Sequence, residues 1–294
     1  MKTFISLSAL FLSLTLTAQT NTATWYFNDT SGSGIQSPNN TASGIYSTAM
    51  GYQTEAIGGH STAMGFNTRA SGGGSTAMGS YTLASGSTST AIGGNTEASG
   101  NYSTAMGLGA IASGTLSVSM GYATRASDYS SFIVGRLNLT GSTVTESAID
   151  FSLDNTAFVI GNGTDFDNRS DALVVKFNGD ATLAGNLNIN SDARLKANII
   201  SLGATLSKLL QIDGKSYTMK KDESEKQKIG LLAQDIEKVF PELVSESNGI
   251  KSVNYQGLVP VLINALKEQQ TEIDRLKTQE ERLDRLERLV AAMD

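Results

Sequence analysis

A five-residue phrase returns every fourteen residues between Ser47 and Gly135, and that fixed interval limits the folds open to the chain. It reads STAMG at Ser47–Gly51, Ser61–Gly65 and Ser75–Gly79, STAIG at Ser89–Gly93, and STAMG again at Ser103–Gly107. Weaker copies follow as SVSMG at Ser117–Gly121 and SFIVG at Ser131–Gly135. A half-period echo runs between them, from Ala56-Ile57-Gly58 through Ala70-Ser71-Gly72 to Ala112-Ser113-Gly114. An uninterrupted period of this length argues for a solenoid in which each coil stacks on the next. The phrase is too short for a helical repeat and too rich in Gly, Ser and Thr for a helix. Strand alternation then sends Ser47, Ala49 and Gly51 to one face and Thr48 and Met50 to the other. Alanine fits the inside of a very narrow β-roll. Met50, Met64, Met78, Ile92, Met106 and Met120 form an outward apolar ladder, and the economical cover for it is the same face of an identical chain. A homo-oligomer is therefore expected. The glycine after each ladder residue is assigned to the turn.

The pattern Ser-x-Ala-Met/Ile-Gly followed by x-x-Ala-x-x-Gly, over residues 42–135, resembles the head repeat of YadA-like trimeric autotransporter adhesins. The resemblance implies a mainly β N-terminal part: a left-handed parallel β-roll of 14-residue coils, with three rolls packed side by side as a homotrimer. A monomeric solenoid with the same repeat is the alternative.

Composition divides the chain. Residues 20–190 are rich in Gly, Ser, Thr and Asn, whereas Lys, Glu, Leu and Ile dominate from 191 onward. The net charge of −6, without a basic patch interleaved with aromatics, argues against nucleic acid as a partner. Residues 1–18 read as a signal peptide: Lys2 supplies the positive end, Phe4 to Leu16 is mostly apolar, and Leu16-Thr17-Ala18 suits cleavage before Gln19. That apolar run is short for a membrane span, and no second stretch is long enough. The chain has no Cys, so no lipoprotein site and no disulfide framework. The expectation is a secreted or cell-surface (outer-membrane-associated) protein with no membrane-spanning segment in the mature chain. The charged, helical C-terminus is unlike the β-barrel anchor of a YadA-like adhesin. Residues 19–46, with Trp25-Tyr26-Phe27, are assigned to a cap on the roll.

Residues 136–190 keep strand character without the period and read as a β-rich connector. Ala157–Ile160 and Ala172–Phe177 are its strands, and Asn178-Gly179 and Gly185-Asn186 its tight-turn pairs. Asp165, Asp167, Asn168 and Asp171 are candidate calcium ligands. Arg169 among them and the lack of a Glu at the twelfth position favour a plain polar turn. No cofactor or metal is assigned.

From Ser191 a different module begins, an α/β domain over 191–257. Ser191 or Asp192 is placed to cap a short helix or turn. An apolar cluster at Leu206, Leu209, Leu210 and Ile212 precedes a strand at Lys215–Met219. Ile229–Ala233 leads into a helix over Gln234–Phe240 ended by Pro241, and Val253-Asn254-Tyr255 is a further short strand. A long helix starts at Leu258 with Pro260 in its first turn and runs over 258–294. Leu262, Leu266, Ile273, Leu276, Leu283, Leu286, Val290 and Met293 give it a coiled-coil seam with a frame slip near Glu280. The other reading is an amphipathic helix folded back on its own domain.

Four blocks in order carry a second resemblance: Ser191-Asp192-x-Arg194-Leu195-Lys196-x-Asn198-Ile199, Gly230-Leu231-Leu232-Ala233-Gln234-Asp235, Pro241-Glu242-Leu243-Val244 and Val253-x-Tyr255-x-x-Leu258. Together they are similar to the endosialidase-type intramolecular chaperone, a self-cleaving serine peptidase domain, over 191 to about 275. The resemblance implies a domain that trimerises, templates the β-rich fibre before it, then cuts itself off. The positions matching its Ser–Lys dyad are Ser191 and Lys196, with Asp192 and Arg194 in support and Asn190-Ser191 as the cleavage site. The chemistry is sound in itself. A Ser hydroxyl needs a base, and a Lys serves as one when desolvation or a nearby cation such as Arg194 lowers its pKa. His60, the only histidine, lies in a variable position of the roll and reads as a solvated surface residue.

The sequence thus describes an exported, homotrimeric, adhesin-like surface fibre with a removable trimerisation chaperone, a single-turnover endopeptidase with no external substrate. A phage-derived tail-fibre or receptor-binding protein with the same chaperone, and an adhesin whose trimerisation domain does not cleave, are the alternatives. Paired carboxylates suited to glycan hydrolysis do not stand out in the roll. The ligand of the head has no signature.

Overall fold

The computed structural model of the chain describes residues 26–27, 32–140, 147–220 and 226–293. The signal segment 1–18 and Trp25 lie outside the described residues. The chain forms two compact units, Met1–Asn188 and Ile189–Asp294.

The first unit is a parallel β-solenoid of fourteen-residue coils. Each coil contributes a five-residue strand, from Thr48–Tyr52 to Phe132–Arg136, and a two-residue strand, from Glu55–Ala56 to Arg125–Ala126. The long strands pair in parallel with no register shift, so Met50 faces Met64, Met64 faces Met78, and Ala49 faces Ala63. The short strands stack into a second parallel sheet of six strands among the described residues. Between the sheets the apolar core is a column of alanines, from Ala42 through Ala112, every one fully buried, flanked by buried serines and threonines. Each methyl contributes only about 0.8 kcal/mol on burial, so the alanine core alone is a modest source of stability for the roll. The ladder residues Met50, Met64, Met78, Ile92, Met106 and Met120 are only half-buried in the single chain.

Inner serines at 47 and 131 donate their hydroxyls back to the carbonyls of Gly44 and Asp128, at 2.7 and 2.8 Å. The buried hydroxyls of Ser61, Ser75, Ser89 and Ser103 have no partner in their present rotamers. Their backbone N–H groups reach the carbonyl three residues back, just as that of Ser47 does, so one χ1 rotation offers them the same acceptor. The column of inner threonines at 54, 68, 82, 96 and 124 ends in asparagine on both sides. The Asn40 amide oxygen accepts from the N–H and hydroxyl of Thr54 at 2.8 and 2.6 Å, and that of Asn138 accepts from Arg125 N at 2.8 Å. These two amides end the threonine column.

The ladder glycines do not make the turns. Gly51, Gly65 and Gly79 lie within the long strands at φ +123 to +128. A Cβ on any of them would stand 2.0 Å from the carbonyl oxygen of the matching glycine one coil on. They are glycine because adjacent coils touch there through bare backbone. The corners fall instead on left-handed residues at Gln53 and Tyr46 and at every fourteenth position after each, most of them not glycine. A non-glycine residue costs about 1–2 kcal/mol in that region. Here its N–H bonds to the coil before, as His60 N does to Ile45 O at 2.7 Å and Asn67 N to Tyr52 O at 2.9 Å.

The roll also runs one coil further than its period. The strand Thr156–Asn162 pairs in parallel with Phe132–Arg136, aligning Phe132 with Phe158, Val134 with Ile160 and Gly135 with Gly161. The ladder therefore reaches Ile160, and the excursion between these coils is an insertion. Ile133 and Val159 replace alanine inside, joined by Val174. The chain then turns antiparallel through Asp171–Lys176 and Ala181–Leu183, across a turn at Asn178-Gly179. The pair Gly185-Asn186 joins no two strands. At the other end, Tyr26–Phe27 adds an antiparallel edge to Ile35–Gln36, which pairs with the first coil.

The second unit is built on three helices: α1, Leu206–Leu209; α2, Ala233–Val239; and α3, Leu258–Ala291. Ile236, Phe240, Leu258 and Val261 form its buried core, with Leu209, Ile212, Leu231 and Leu243 packed on it. Lys215–Tyr217 pairs antiparallel with Lys228–Gly230. Val244–Ser247 and Ile250–Val253 form a hairpin across Asn248-Gly249, both at positive φ, the geometry that a two-residue turn requires. Tyr255 belongs to a 3-10 turn, Tyr255–Gly257, rather than to a strand. Its hydroxyl accepts from Leu231 N at 3.0 Å, and it passes so close to Gly230 that a Cβ there would lie 2.9 Å from it. Helix α3 buries Leu258, Val261 and Ala265 against the domain. From residue 269 to 293 every residue is exposed, and the seam positions Leu262, Leu266, Ile273, Leu276, Leu283, Leu286 and Val290 are all uncovered in the single chain.

Candidate self-cleavage site

Ser191 and Lys196 meet. Lys196 Nζ donates to Ser191 Oγ at 2.7 Å. A single turn of 3-10 helix, Ala193–Leu195, brings them together. Leu195 N donates to Asp192 O and Lys196 N to Ala193 O, both at 3.1 Å, and the chain leaves the turn extended at Lys196.

Asp192, rather than Ser191, caps the turn. Its Oδ1 accepts from Arg194 N at 2.9 Å, and its carboxylate also receives Arg194 Nε at 3.0 and 3.1 Å and Nη2 at 2.6 Å. The Arg194 side chain, then its backbone N–H, hold the Asp192 carboxyl below the usual carboxylate range. Asp192 in turn raises the Arg194 guanidinium above its ordinary value. Arg194 thus spends its charge on Asp192. Asn190, Ser191, Asp192, Arg194 and Leu195 line one open concavity. Residues 189–204 are all exposed, including the apolar Leu195, Ile199 and Ile200.

The sequence offered no local sign of the tie that follows the dyad. Glu268, on α3, accepts from Thr205 N at 2.6 Å, Thr205 Oγ1 at 3.0 Å and Leu206 N at 3.1 Å, closing the N-terminus of α1. The N–H groups of Thr205 and Leu206 hold its carboxyl below the usual range.

The loop at 161–171 is a polar turn. Asp165 spends its oxygens on the N–H groups of Asp167 and Asn168 and on the Asn168 amide, while Asp171 Oδ1 accepts from Leu139 N. Arg169 reaches the carbonyls of Ala123 and Asn138. His60 stands exposed at a corner with its ring 5.4 Å from Tyr46.

Two family models match this chain, one over each unit. The YadA head domain repeat matches within residues 38–132, and the chaperone of endosialidase matches residues 191–245, the segment that opens on Ser191. The chain is also similar to the long tail fiber protein Gp37 of Salmonella phage S16, 32% identical over 114 residues. That match covers 35% of this chain and 15% of the phage protein. Head repeats of the adhesin type thus precede a chaperone segment of the endosialidase type in one chain. No helix among the described residues is long and apolar enough to cross a membrane.

Proposed function

We propose that the chain is an exported, homotrimeric, adhesin-like surface fibre whose C-terminal domain templates the trimer and then releases itself by one cut at Asn190-Ser191. The observation that carries the cleavage is the 2.7 Å contact between Lys196 Nζ and Ser191 Oγ at the start of the chaperone segment. In the resting pair the lysine ammonium donates. Loss of one proton to solvent turns it into an acceptor. Neutral Lys196 then takes the Ser191 proton as Oγ attacks the Asn190 carbonyl carbon. The same proton passes to Ser191 N as the peptide bond breaks, leaving an ester between Asn190 and Ser191. Water hydrolyses that ester, yielding a carboxylate at Asn190 and a free amino group and hydroxyl at Ser191. A buried site favours neutral lysine. Because residues 189–204 are exposed in one chain, the cover is assigned to neighbouring subunits, which ties cutting to assembly.

The homotrimer reading draws on the half-buried Met/Ile ladder, the uncovered seam of α3 and the head-repeat match. The fibre match favours a second reading, a phage tail fibre with the same chaperone. Processing of residues 1–18 separates the two, since export belongs to the first alone. Mass analysis of the product, with and without boiling, reads cleavage and oligomer together. Fragments meeting at Asn190-Ser191 are expected, with Ser191→Ala and Lys196→Ala left whole. A wild-type trimer that stays full length sinks the cleavage.

A further inference from the structure

Ser191 and Lys196 stand five positions apart, and no regular element brings such a pair together. In a strand they would point to opposite faces about 16 Å apart. In an α-helix, side-chain neighbours lie three or four residues apart. Only a reversal of the chain serves, and the reversal is the 3-10 turn Ala193–Leu195. A turn of three residues does not hold itself. Packing does not hold it either, because it contains no buried residue. What remains is Asp192, through its bond to Arg194 N and its grip on the Arg194 guanidinium.

We infer that Asp192 is the positioning residue of the proposed self-cleavage, setting Lys196 against Ser191 through the turn it caps. The inference rests on the dyad reading above. A helix-type cap and a catalytic block are thus one device, with the cap as the fixture that assembles the pair. The part that matters is the acceptor facing Arg194 N, since the Arg194 side chain is itself 89% exposed.

The test uses the full chain. Asp192→Ala removes the acceptor, whereas Asp192→Asn keeps it, asparagine being as good a cap as aspartate. Single-turnover appearance of the small fragment should slow about tenfold in Asp192→Ala and stay within about threefold of wild type in Asp192→Asn. The pH profile of the residual rate should keep its wild-type midpoint, because Asp192 holds the pair without exchanging a proton. Oligomer size is measured alongside. A second readout is independent of cutting: in the Ser191→Ala background, amide exchange at Leu195 and Lys196 should accelerate with Asp192→Ala and not with Asp192→Asn. Equal cleavage by wild type and Asp192→Ala overturns the inference, as does an Asp192→Asn chain as slow as Asp192→Ala. If wild type never cuts, the dyad reading fails, and unchanged exchange in Asp192→Ala then sinks the positioning role separately.

Discussion

Three consecutive glycines in the second coil, Gly72, Gly73 and Gly74, offer a matched experiment on what holds the roll together. A Cβ at Gly72 would sit 1.9 Å from Gly86 O and 2.6 Å from its carbonyl carbon, with no positive φ involved. At Gly73 it would meet nothing within 4 Å. At Gly74 it would meet Thr88 Oγ1 at 3.5 Å, an ordinary contact, but from a φ of +67. Alanine therefore tests crowding alone at 72, neither effect at 73, and backbone strain alone at 74. To restore ordinary contact at 72 the coils must part by about 1.5 Å, out of a strand spacing of about 4.8 Å. That separation breaks the flanking bonds, Ser71 N to Ala84 O at 2.8 Å and Gly72 N to Ala84 O at 3.2 Å. Two buried backbone bonds lost at about 1–3 kcal/mol each, with overpacking strain added, give roughly 3–6 kcal/mol per chain. Gly74→Ala should cost about 1–2 kcal/mol. Gly73→Ala should be neutral or stabilise by about 0.4–1 kcal/mol through the unfolded chain. Denaturant unfolding, with unfolding rates where refolding fails, ranks the three. A Gly72→Ala protein as stable as Gly73→Ala would refute the claim that coils meet there through rigid backbone.

Two further outcomes follow from the half-buried ladder and the Glu268 tie. Met64→Asp and Met78→Asp place charges in the proposed subunit interface at several kcal/mol per unpaired ion, so light scattering should show the trimer lost; a variant that assembles like wild type removes the ladder from the interface. Glu268 has a depressed folded pKa, so its contribution is present above the ordinary glutamate value, about 4.3, and is lost as pH falls through the lowered folded value. Acid should loosen Thr205 and Leu206, seen as faster amide exchange, and Glu268→Gln should remove that acid-dependent step while leaving the exchange fast at neutral pH.

The roll was legible because its repeat is nearly literal: identical phrases at an identical interval leave one stacking register. The same literalness hid the role of the glycines. Alternation within a strand says which way a residue points, whereas Gly72 and Gly79 are set by a carbonyl one coil away. The last coil escaped notice because its offset from the coil before is 26 residues instead of 14. The signal was nonetheless present, in Phe132-Ile133-Val134-Gly135 and Phe158-Val159-Ile160-Gly161. Asn248-Gly249 between Val244–Ser247 and Ile250–Val253 was likewise a readable hairpin, obscured by grouping Val244 with the block before it. At the candidate site, the residue types carried the resemblance, but neither strand nor helix periodicity at a spacing of five announces contact. Glu268 had no such sign, lying 63 residues from Thr205 in sequence.

The coil geometry also explains why a fibre of this kind gains from a template beside one particular end. Coils two to five present nearly the same residues, so a slip of one coil between neighbouring rolls sets Met against Met and Thr against Thr again. Such a slip exposes only the terminal coils and costs little along the interior, as expected for any weakly specified register. Distinguishing features concentrate at the C-terminal end of the roll. There Ile133 and Val159 replace alanine, Asp128 breaks the glycine column with its carboxylate accepting from Thr156 N at 2.8 Å, and Asn138 closes the threonine column. Those features precede the proposed template in the chain. A helical module that folds through local contacts forms quickly, and long-range parallel stacking forms slowly. If three chains are held at 191–294, as proposed, the part of each roll nearest in sequence is the one where misalignment is costly. The near-identical coils could then add toward the N-terminus in the only register left. The proposed cut at Asn190-Ser191 would then remove the template without reopening that choice, because interior coils are bonded on both sides along their backbone.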